Sequence, residues 1–443
     1  MLLNMQTQRP LLQTGTDKYS WGVNLDSYYV WSENTKLWGA ASFRSYEKAS
    51  MAWNSNIDLD KIYPYVMADT VGGGLKGEDY NFEGGFSRAF GKYIIGAELA
   101  VGASVAYRQL DPRPLNKSID LNATLSIGRI FAKKHILAIA INAERYSQNS
   151  SVQFLNELGE AKVYHLSGLG MHYVRFAGAN NTVYYSGLGG QLSIDYSQID
   201  ALGFYAHTKY RMSSLDKILP DKNDIAINGL KDNDMSVLVG YNLQTDKLSL
   251  LGVSLNYSRT DRKGEERIFG DPSGSVYPQI AASEMYGRLR QRLELNIVAN
   301  FEMPNWRSTT TLNPEFIKER EHYFSPDRKR KYEIMNLSLE QNLLFKLKKG
   351  LLHSNTLLAK CISLNRDHVF TSHSKDVAFG LEVENNVFNF NSSNSFGLSQ
   401  SLRYDLPLRS KKQALSFGTQ FDMLNKQEYK TSFNVFASVG VIF

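Results

Sequence analysis

His165 and Ser167 are the two residues whose types and spacing could carry out catalysis. Residues two apart on a β-strand share one face, so the imidazole and the hydroxyl would lie side by side. A histidine in that place can deprotonate a serine, and a downstream asparagine, Asn180 or Asn181, could orient the ring. The alternative is a purely structural pair, because the sequence GANN around the asparagines is typical of a turn. The structural interpretation is the favoured one.

A second group of polar residues lies near the carboxy-terminal third of the chain. His368 and His373 stand in a polar connection with Asp367 and Asp376 nearby. Their spacing matches no common metal-ligand pattern, so we expect a solvated loop and predict neither a metal nor a cofactor. The glycine-rich sequence at 71–74 lacks the Lys-Ser/Thr ending and the following helix of a phosphate-binding loop.

Three arginines, Arg288, Arg290 and Arg292, alternate with apolar residues such as Leu289 and Leu293. If the apolar face meets lipid, the arginines line a lumen, where cations could select anions or hold a plug by salt bridges. The favoured interpretation is that they pair with lumen acids, because an unpaired buried charge is costly. The other predicted lumen residues are Glu98 and Arg108, with Glu340, Glu382 and Glu384 as further acids.

The element that would position such side chains is clearest at residues 93–108. Apolar residues from Tyr93 to Tyr107 occupy every second position, and the intervening residues are small or polar, ending at Arg108. This period of two predicts a strand with one apolar face. Its length is roughly 46 Å, which at a tilt near 45° covers about 33 Å along the membrane normal. The stretch is typical of a membrane-spanning strand.

The same alternation recurs along the chain and predicts an antiparallel transmembrane β-barrel of about 16–18 strands, as one domain over residues 1–443. The last candidate strand ends on Phe443, which resembles the carboxy-terminal insertion signal of outer-membrane barrels. The predicted strands are 19–31, 37–47, 80–90, 93–108, 119–131, 136–146, 163–175, 183–196, 235–243, 248–259, 286–302, 332–347, 351–364, 377–390, 396–406, 414–424 and 431–443, with 202–211 as a doubtful addition.

Composition agrees with a barrel. Hydrophobic residues make up 42% of the chain, and aromatic residues reach 12%, as girdles at two membrane interfaces require. Mean hydropathy is −0.34, and no stretch supplies the 18 apolar residues of a spanning helix. The 50 basic and 44 acidic residues are interspersed, which excludes a concentrated nucleic-acid footprint. A single cysteine, Cys361, excludes an intrachain disulfide.

The amino-terminal sequence MLLNMQTQRPLLQTG has no basic region followed by an apolar core, so it does not read as a signal peptide. Placing the short turns GK, AKK and GANN on one side makes the segment 19–31 begin on the other side. We therefore expect a signal peptide and a first strand upstream of the given sequence. The second half of the chain fits this assignment less well, because ending Phe443 in the periplasm would place the short turns KKG and NSSN on the outer side.

The sequence YRQLDPRPLN at residues 107–116, followed by the strand IDLNATLSIG, resembles an uncharacterised family of outer-membrane β-barrels of the Bacteroidota type. Such barrels are often found beside TonB-dependent transporters and surface lipoproteins. The resemblance implies an accessory of nutrient uptake, iron- or TonB-linked uptake included, and no catalytic residues. In the DPRP loop, Pro112 and Pro114 would stiffen a turn, and Asp111 could pair with Arg113.

Three functions are compatible with these features. The first is a non-enzymatic channel or uptake accessory in the outer membrane of a Gram-negative cell. Its expected partners are membrane lipids, the barrel-assembly machinery and a TonB-dependent transporter or surface lipoprotein. The second is a hydrolase, because His165 and Ser167 with Asn180 are similar to the His-x-Ser arrangement of outer-membrane phospholipases. The third is a soluble all-β binding protein. We favour the first.

Overall fold

The structure is a computed structural model that describes residues 2–6, 11–156, 162–176, 178, 182–245, 249–370, 378–408, 413–429 and 431–442. Most of this chain is β-strand. In chain order the elements are β1 (Leu2–Gln6), β2 (Thr16–Ser32), β3 (Thr35–Met51), α1 (Leu59–Ile62), β4 (Met67–Asp69), β5 (Gly73–Phe90), β6 (Tyr93–Tyr107), β7 (Arg113–Phe131), β8 (His135–Gln153), β9 (Val163–Gly168), β10 (Met171–His172), a 3₁₀ turn (Val174–Phe176), β11 (Thr182–Gln198), β12 (Gly203–Leu219), a 3₁₀ turn (Pro220–Lys222), β13 (Ile225–Leu243), β14 (Leu250–Phe269), β15 (Gln279–Met303), β16 (Trp306–Tyr323), β17 (Arg328–Leu347), β18 (Gly350–Phe370), α2 (Ala378–Ser392), β19 (Ser395–Pro407), β20 (Ala414–Lys426) and β21 (Ser432–Ile442).

Eighteen of the described strands, all except β4, β9 and β10, form one antiparallel sheet. Each strand pairs with the next barrel strand along the chain, and the sheet closes because β1 pairs with β2 on one side and with β21 on the other. A closed sheet has no free edge. The prediction of an antiparallel barrel of about 16–18 strands is confirmed. A strand does precede β2, but it is β1, which lies within the given sequence and not upstream of it. The expected signal peptide stays a prediction.

Large apolar side chains cover the outer face of the barrel. Leu25 and Leu125, for example, are 65% and 69% exposed, and their strand neighbours point inward. In β6, Leu99 lies on this outer face whereas Ala106 is buried inside the barrel. Apolar surface of this extent is a liability in water and is what lipid requires. The barrel is therefore a transmembrane one, with its polar and small residues turned to the lumen.

The connections differ between the two ends of the barrel. Two-residue turns at 33–34, 91–92, 304–305 and 348–349 lie at one end, called here the short-turn end. Longer connections, 52–72 and 154–181 among them, lie at the opposite or long-loop end. The KKG turn thus shares an end with GK and AKK, which corrects the sequence-based prediction. The prediction counts residues 377–390 as a crossing strand, but they fall largely within helix α2, and this one crossing moves KKG to the other end. The NSSN turn, at the end of α2, does lie at the long-loop end.

Four segments differ from the alternation-based predictions. Residues 163–175 form β9, β10 and a 3₁₀ turn inside the barrel, and residues 377–390 fall largely within helix α2. In α2 the buried Glu384, Phe388 and Ser392 recur every four residues, which is a helical spacing. The doubtful segment 202–211 belongs to β12. Strand β16 escaped prediction because glutamates and Pro314 interrupt its apolar alternation.

Candidate functional site

The connection between β3 and β5, residues 52–72, folds back into the lumen at the long-loop end and is called here the inner segment. Its strand β4 pairs with β9, and β9 pairs with β10, which makes a three-stranded inner sheet separate from the wall. The stem of the inner segment closes on itself through Trp53 N–H to Asp69 O at 2.9 Å and Ser55 N–H to Met67 O at 2.9 Å. The barrel therefore carries its own obstruction.

Asp69 fixes this stem to the barrel wall. Its carboxylate accepts hydrogen bonds from the Ser55 hydroxyl at 2.7 Å and the Gly72 amide at 2.7 Å, and it pairs with the Arg108 guanidinium at 3.3 Å. Arg108 also donates to the carbonyl of Met51 at 3.3 Å. Both charged groups are buried, so Arg108 does not line an open lumen. It anchors the obstruction instead.

The inner segment packs on one wall, β8 and β11–β14, through apolar side chains. Polar contacts reinforce this side: the Tyr185 hydroxyl donates to Tyr65 O at 2.9 Å, and the Arg262 guanidinium donates to Asp60 O at 2.8 Å and Tyr63 O at 2.7 Å. We call it the apolar side. Its buried cluster has sixteen members among the described residues: Ile62, Tyr65, Val66, Met67, Tyr146, Val152, Val163, Tyr173, Phe176, Val183, Tyr185, Leu215, Leu219, Ile227, Leu230 and Phe269.

The facing wall, β15–β18 with helix α2, meets the inner segment mainly through charged and polar groups. We call it the polar side. Arg330 of β17 pairs with Glu384 of α2 at 2.9 Å and with Glu321 of β16. The hydroxyl of Tyr63, on the inner segment, lies 3.3 Å from both Glu384 carboxylate oxygens. Tyr286 donates to Glu321 at 2.5 Å. One buried network therefore joins the wall, the helix and the obstruction.

The arginine row faces the lumen, and the acids that neutralise it come mostly from the adjacent strand. Arg292 pairs with Glu294 at 3.0 Å and also with Glu315, and Arg290 lies 3.7 Å from Glu319. The partners expected from the sequence were wrong. The distant acids are used elsewhere: Glu98 accepts from the Trp38 indole at 3.1 Å, Glu340 accepts from the amide of Asn355, Glu384 pairs with Arg330, and Glu382 is exposed.

His165 and Ser167 are both fully buried on the inner sheet. Neither imidazole nitrogen of His165 has a hydrogen-bond partner, so the pair shows no serine activation. Burial, with Lys217 nearby, holds the pKa of His165 well below its usual range. Asn180 lies outside the described residues. A lipid substrate would find neither side chain accessible.

The second polar group also shows no site. His368 lies on β18 with its ring 5.0 Å from that of Phe388, and Asp367 is on the same strand. His373 and Asp376 lie outside the described residues. In the part of the chain that the structure describes, no group of three or more His, Cys, Asp or Glu residues could hold a metal ion.

The DPRP loop clamps the connection that leads to the inner sheet. Asp111 accepts from the backbone amides of Leu155 and Asn156, both at 2.8 Å, and pairs with Arg113 at 2.7 Å. The predicted Asp111–Arg113 pair is confirmed. The hydrogen bond from the Asn156 amide is the main reason why the pKa of Asp111 lies below its usual range, and the Leu155 amide and Arg113 lower it further. The loop is structural, as its prolines suggest.

An open cavity of about 630 Å³ remains between the tip of the inner segment and β2–β7. It is lined by asparagines and serines and by an excess of acids: the charged residues are Asp26, Asp58, Glu83, Asp120 and Lys61. Lys61 pairs with Asp120 and lies over the Tyr146 ring at 4.7 Å. The lumen is thus acidic on this wall and charge-balanced along β15–β17.

Sequence reasoning missed Tyr63, Glu321 and Arg330, which hold the polar side together. A signal for part of the network was present: Glu315, Glu319 and Glu321 are separated by even numbers of residues, so they share one face of a strand, as the three arginines do. Tyr63 carried no such signal, because its role depends on how the inner segment folds.

The DUF6850 model, described as a family of unknown function, matches residues 5–443. The chain belongs to this family. No relative among curated proteins matches it. Among the described residues, no helix is long and apolar enough to cross a membrane.

Solved structures similar to this DUF6850 chain include two receptors and one transporter. They are the ferric preacinetobactin receptor BauA of Acinetobacter baumannii (8% identity, TM-score 0.44, covering 98% of this chain and 74% of that one), the outer membrane transporter YddB of Escherichia coli (9%, 0.45, 100% and 80%) and the ferric yersiniabactin uptake receptor FyuA of Yersinia pestis (8%, 0.38, 100% and 79%). At these identities and scores the likeness carries no argument about the lumen or its cargo. The barrel assignment rests on the chain's own strand pairing.

Proposed function

We propose that this protein is a non-enzymatic outer-membrane β-barrel that acts in nutrient uptake, as a channel or as an accessory, and that its own inner segment closes the lumen. The observation that carries the proposal is the inner segment itself, which fills the long-loop end of a closed barrel. An apolar outer face supports the membrane location. A route that is closed at rest and opened on demand is what a selective uptake protein requires.

The orientation follows from general barrel architecture. Outer-membrane barrels have short periplasmic turns and longer extracellular loops. The short-turn end then faces the periplasm, and the inner segment closes the extracellular side. The carboxy-terminal strand β21 (Ser432–Ile442) then ends on the periplasmic side, which suits its proposed use by the barrel-assembly machinery.

Two further parts of the proposal concern chemistry and partners. The absence of catalysis is supported by the burial of His165 and Ser167, which no lipid can reach. The partner, a TonB-dependent transporter or a surface lipoprotein, and the iron- or TonB-linked cargo rest on the family resemblance alone. Co-purification of the tagged protein from its own outer membrane tests the partner.

Conductance in planar bilayers tests the function. We expect the purified wild-type protein to open rarely, because the inner segment obstructs the lumen. Replacing the buried Tyr65 with Ala removes a large side chain from the apolar cluster and should make openings frequent. The matched control is Val71→Ala, because Val71 lies on the same segment and is exposed. Recovery of the folded protein as a monomer without detergent would contradict the proposal.

A further inference from the structure

The two walls hold the inner segment by different chemistry. On the apolar side, sixteen buried residues form one cluster that joins the segment to β8 and β11–β14. On the polar side, the described residues form only two small apolar clusters, of four and three buried members. Separating an apolar interface exposes its whole area to water, whereas water can replace the partners of separated polar groups. The polar side is therefore where the obstruction can part from the wall.

Helix α2 is built to take part in such a separation. Its carboxy-terminal half is held by apolar contacts: Phe388 is buried near Tyr332 and Ile334, and the Phe390 ring packs edge-on against Tyr429 at 5.3 Å. One turn before Phe388, Glu384 supplies the ion pair with Arg330. The helix thus has a fixed end and an end held by charge.

The wall behind the Glu384–Arg330 ion pair carries balanced charge. Four arginines, Arg288, Arg290, Arg292 and Arg330, face the same region as four glutamates, Glu294, Glu315, Glu319 and Glu321. The alternative wall, β2–β7, presents three acids to the open cavity, Asp26, Glu83 and Asp120, and the inner segment adds Asp58 and Lys61. The charged side chains that line a channel determine which ions it selects. A route along one wall would therefore differ in ion selectivity from a route along the other.

We infer that the route through the barrel opens along β15–β18, with the Glu384–Arg330 ion pair as its latch and the paired arginine row as its selectivity-determining wall. This inference rests on the proposed function. In this inference the contact of the inner segment with β8 and β11–β14 stays intact when the route opens. The solutes it favours are small and hydrophilic, without a strong preference for one sign of charge.

Glu384→Gln tests the latch in planar bilayers with potassium chloride on both sides. Loss of a charge-assisted hydrogen bond should raise the open probability roughly ten- to a hundred-fold over wild type. The control is Glu382→Gln, two residues away and exposed, which should leave it unchanged. Heat-dependent migration of the barrel on gels shows that each variant is folded.

A cross-linking pair fixes which side moves. In a Cys361→Ser background, Arg330→Cys with Glu384→Cys is treated with a bifunctional thiol reagent, and openings should be lost. The comparison pair is Tyr65→Cys with Tyr185→Cys on the apolar side, whose cross-linking should leave openings in place. The reverse pattern would overturn the inference.

Reversal potential across a salt gradient tests the route. In the Glu384→Gln background we expect a value near zero, Arg292→Gln should shift it toward cation preference, and Glu83→Gln should not move it. A cation-selective channel whose selectivity disappears with Glu83→Gln would place the route at β2–β7 and refute the inference. If Tyr65→Ala conducts and Glu384→Gln does not, only the inference fails. If no folded variant conducts, the proposed channel fails.

Discussion

Two of the walls that the inner segment contacts, the apolar side and the polar side, hold it by different interactions. Against β8 and β11–β14 it buries Ile62, Tyr65 and Val66 among apolar side chains, as a small protein core does. Against β15–β17 and α2 it offers Tyr63 to a network of charged groups. The first interface gains from excluding water, and the second depends on complete pairing of its charges. Mutations should therefore act by different mechanisms on the two sides.

The largest effect is expected on the polar side from Arg330→Met. It leaves Glu321 and Glu384 buried without their cation, which costs about 3–5 kcal/mol. Amide hydrogen exchange in α2 should accelerate. Lys329→Met is the control, since Lys329 is exposed and pairs only with Asp327 among the described contacts. Unchanged exchange in α2 would show that the network does not hold the helix.

On the apolar side, Ile62→Ala should destabilise the packing of the inner segment by about 2–5 kcal/mol, because it removes buried methyl groups and leaves a cavity. Limited proteolysis should then cut within residues 52–72. Exchange in α2 should stay near the wild-type rate. If α2 loosens equally, the two sides are not independent and the comparison fails.

A moderate effect should follow pH through His165. Its pKa is lowered by burial, so the folded inner sheet holds the imidazole neutral while the unfolded one protonates near the ordinary value of 6.5. The stability of the inner sheet is therefore retained above pH 6.5. Below pH 6.5 the equilibrium constant for opening the inner sheet should rise by at most about ten-fold per pH unit. Exchange of the β9 amides from pH 8 to pH 5 measures this. The variant His165→Leu should lack this component of the pH dependence.

The smallest effect should come from Asp111→Asn in the DPRP loop, which touches neither side. It weakens the bonds to the Leu155 and Asn156 amides, and their exchange should accelerate locally. Because the pKa of Asp111 lies below its usual 3.8, the wild-type loop should loosen only as pH falls below that value. Asp271→Asn, at a fully exposed carboxylate, is the control. Altered exchange in α2 would contradict this assignment.

Much of the barrel could be predicted from local pattern. The alternation at residues 93–108 identified β6 and its outer face. Alternation failed where a segment was short or charged: residues 377–390 form a helix for most of their length, and β16 was hidden by its glutamates. Those glutamates pair with the arginines of β15, and the pattern within a single strand does not contain this relation between two strands.

The sequence by itself determined the class of fold, the face of each long strand and the local pairing of Asp111 with Arg113. These follow from the period of two and from residues two positions apart, so they need no distant contacts. Tertiary structure alone decided that residues 52–72 enter the lumen, that His165 is buried without a hydrogen-bond partner, and that Glu384 meets Arg330. Those outcomes join residues as far apart as Tyr63 and Glu384, and only closure of the barrel brings such residues together.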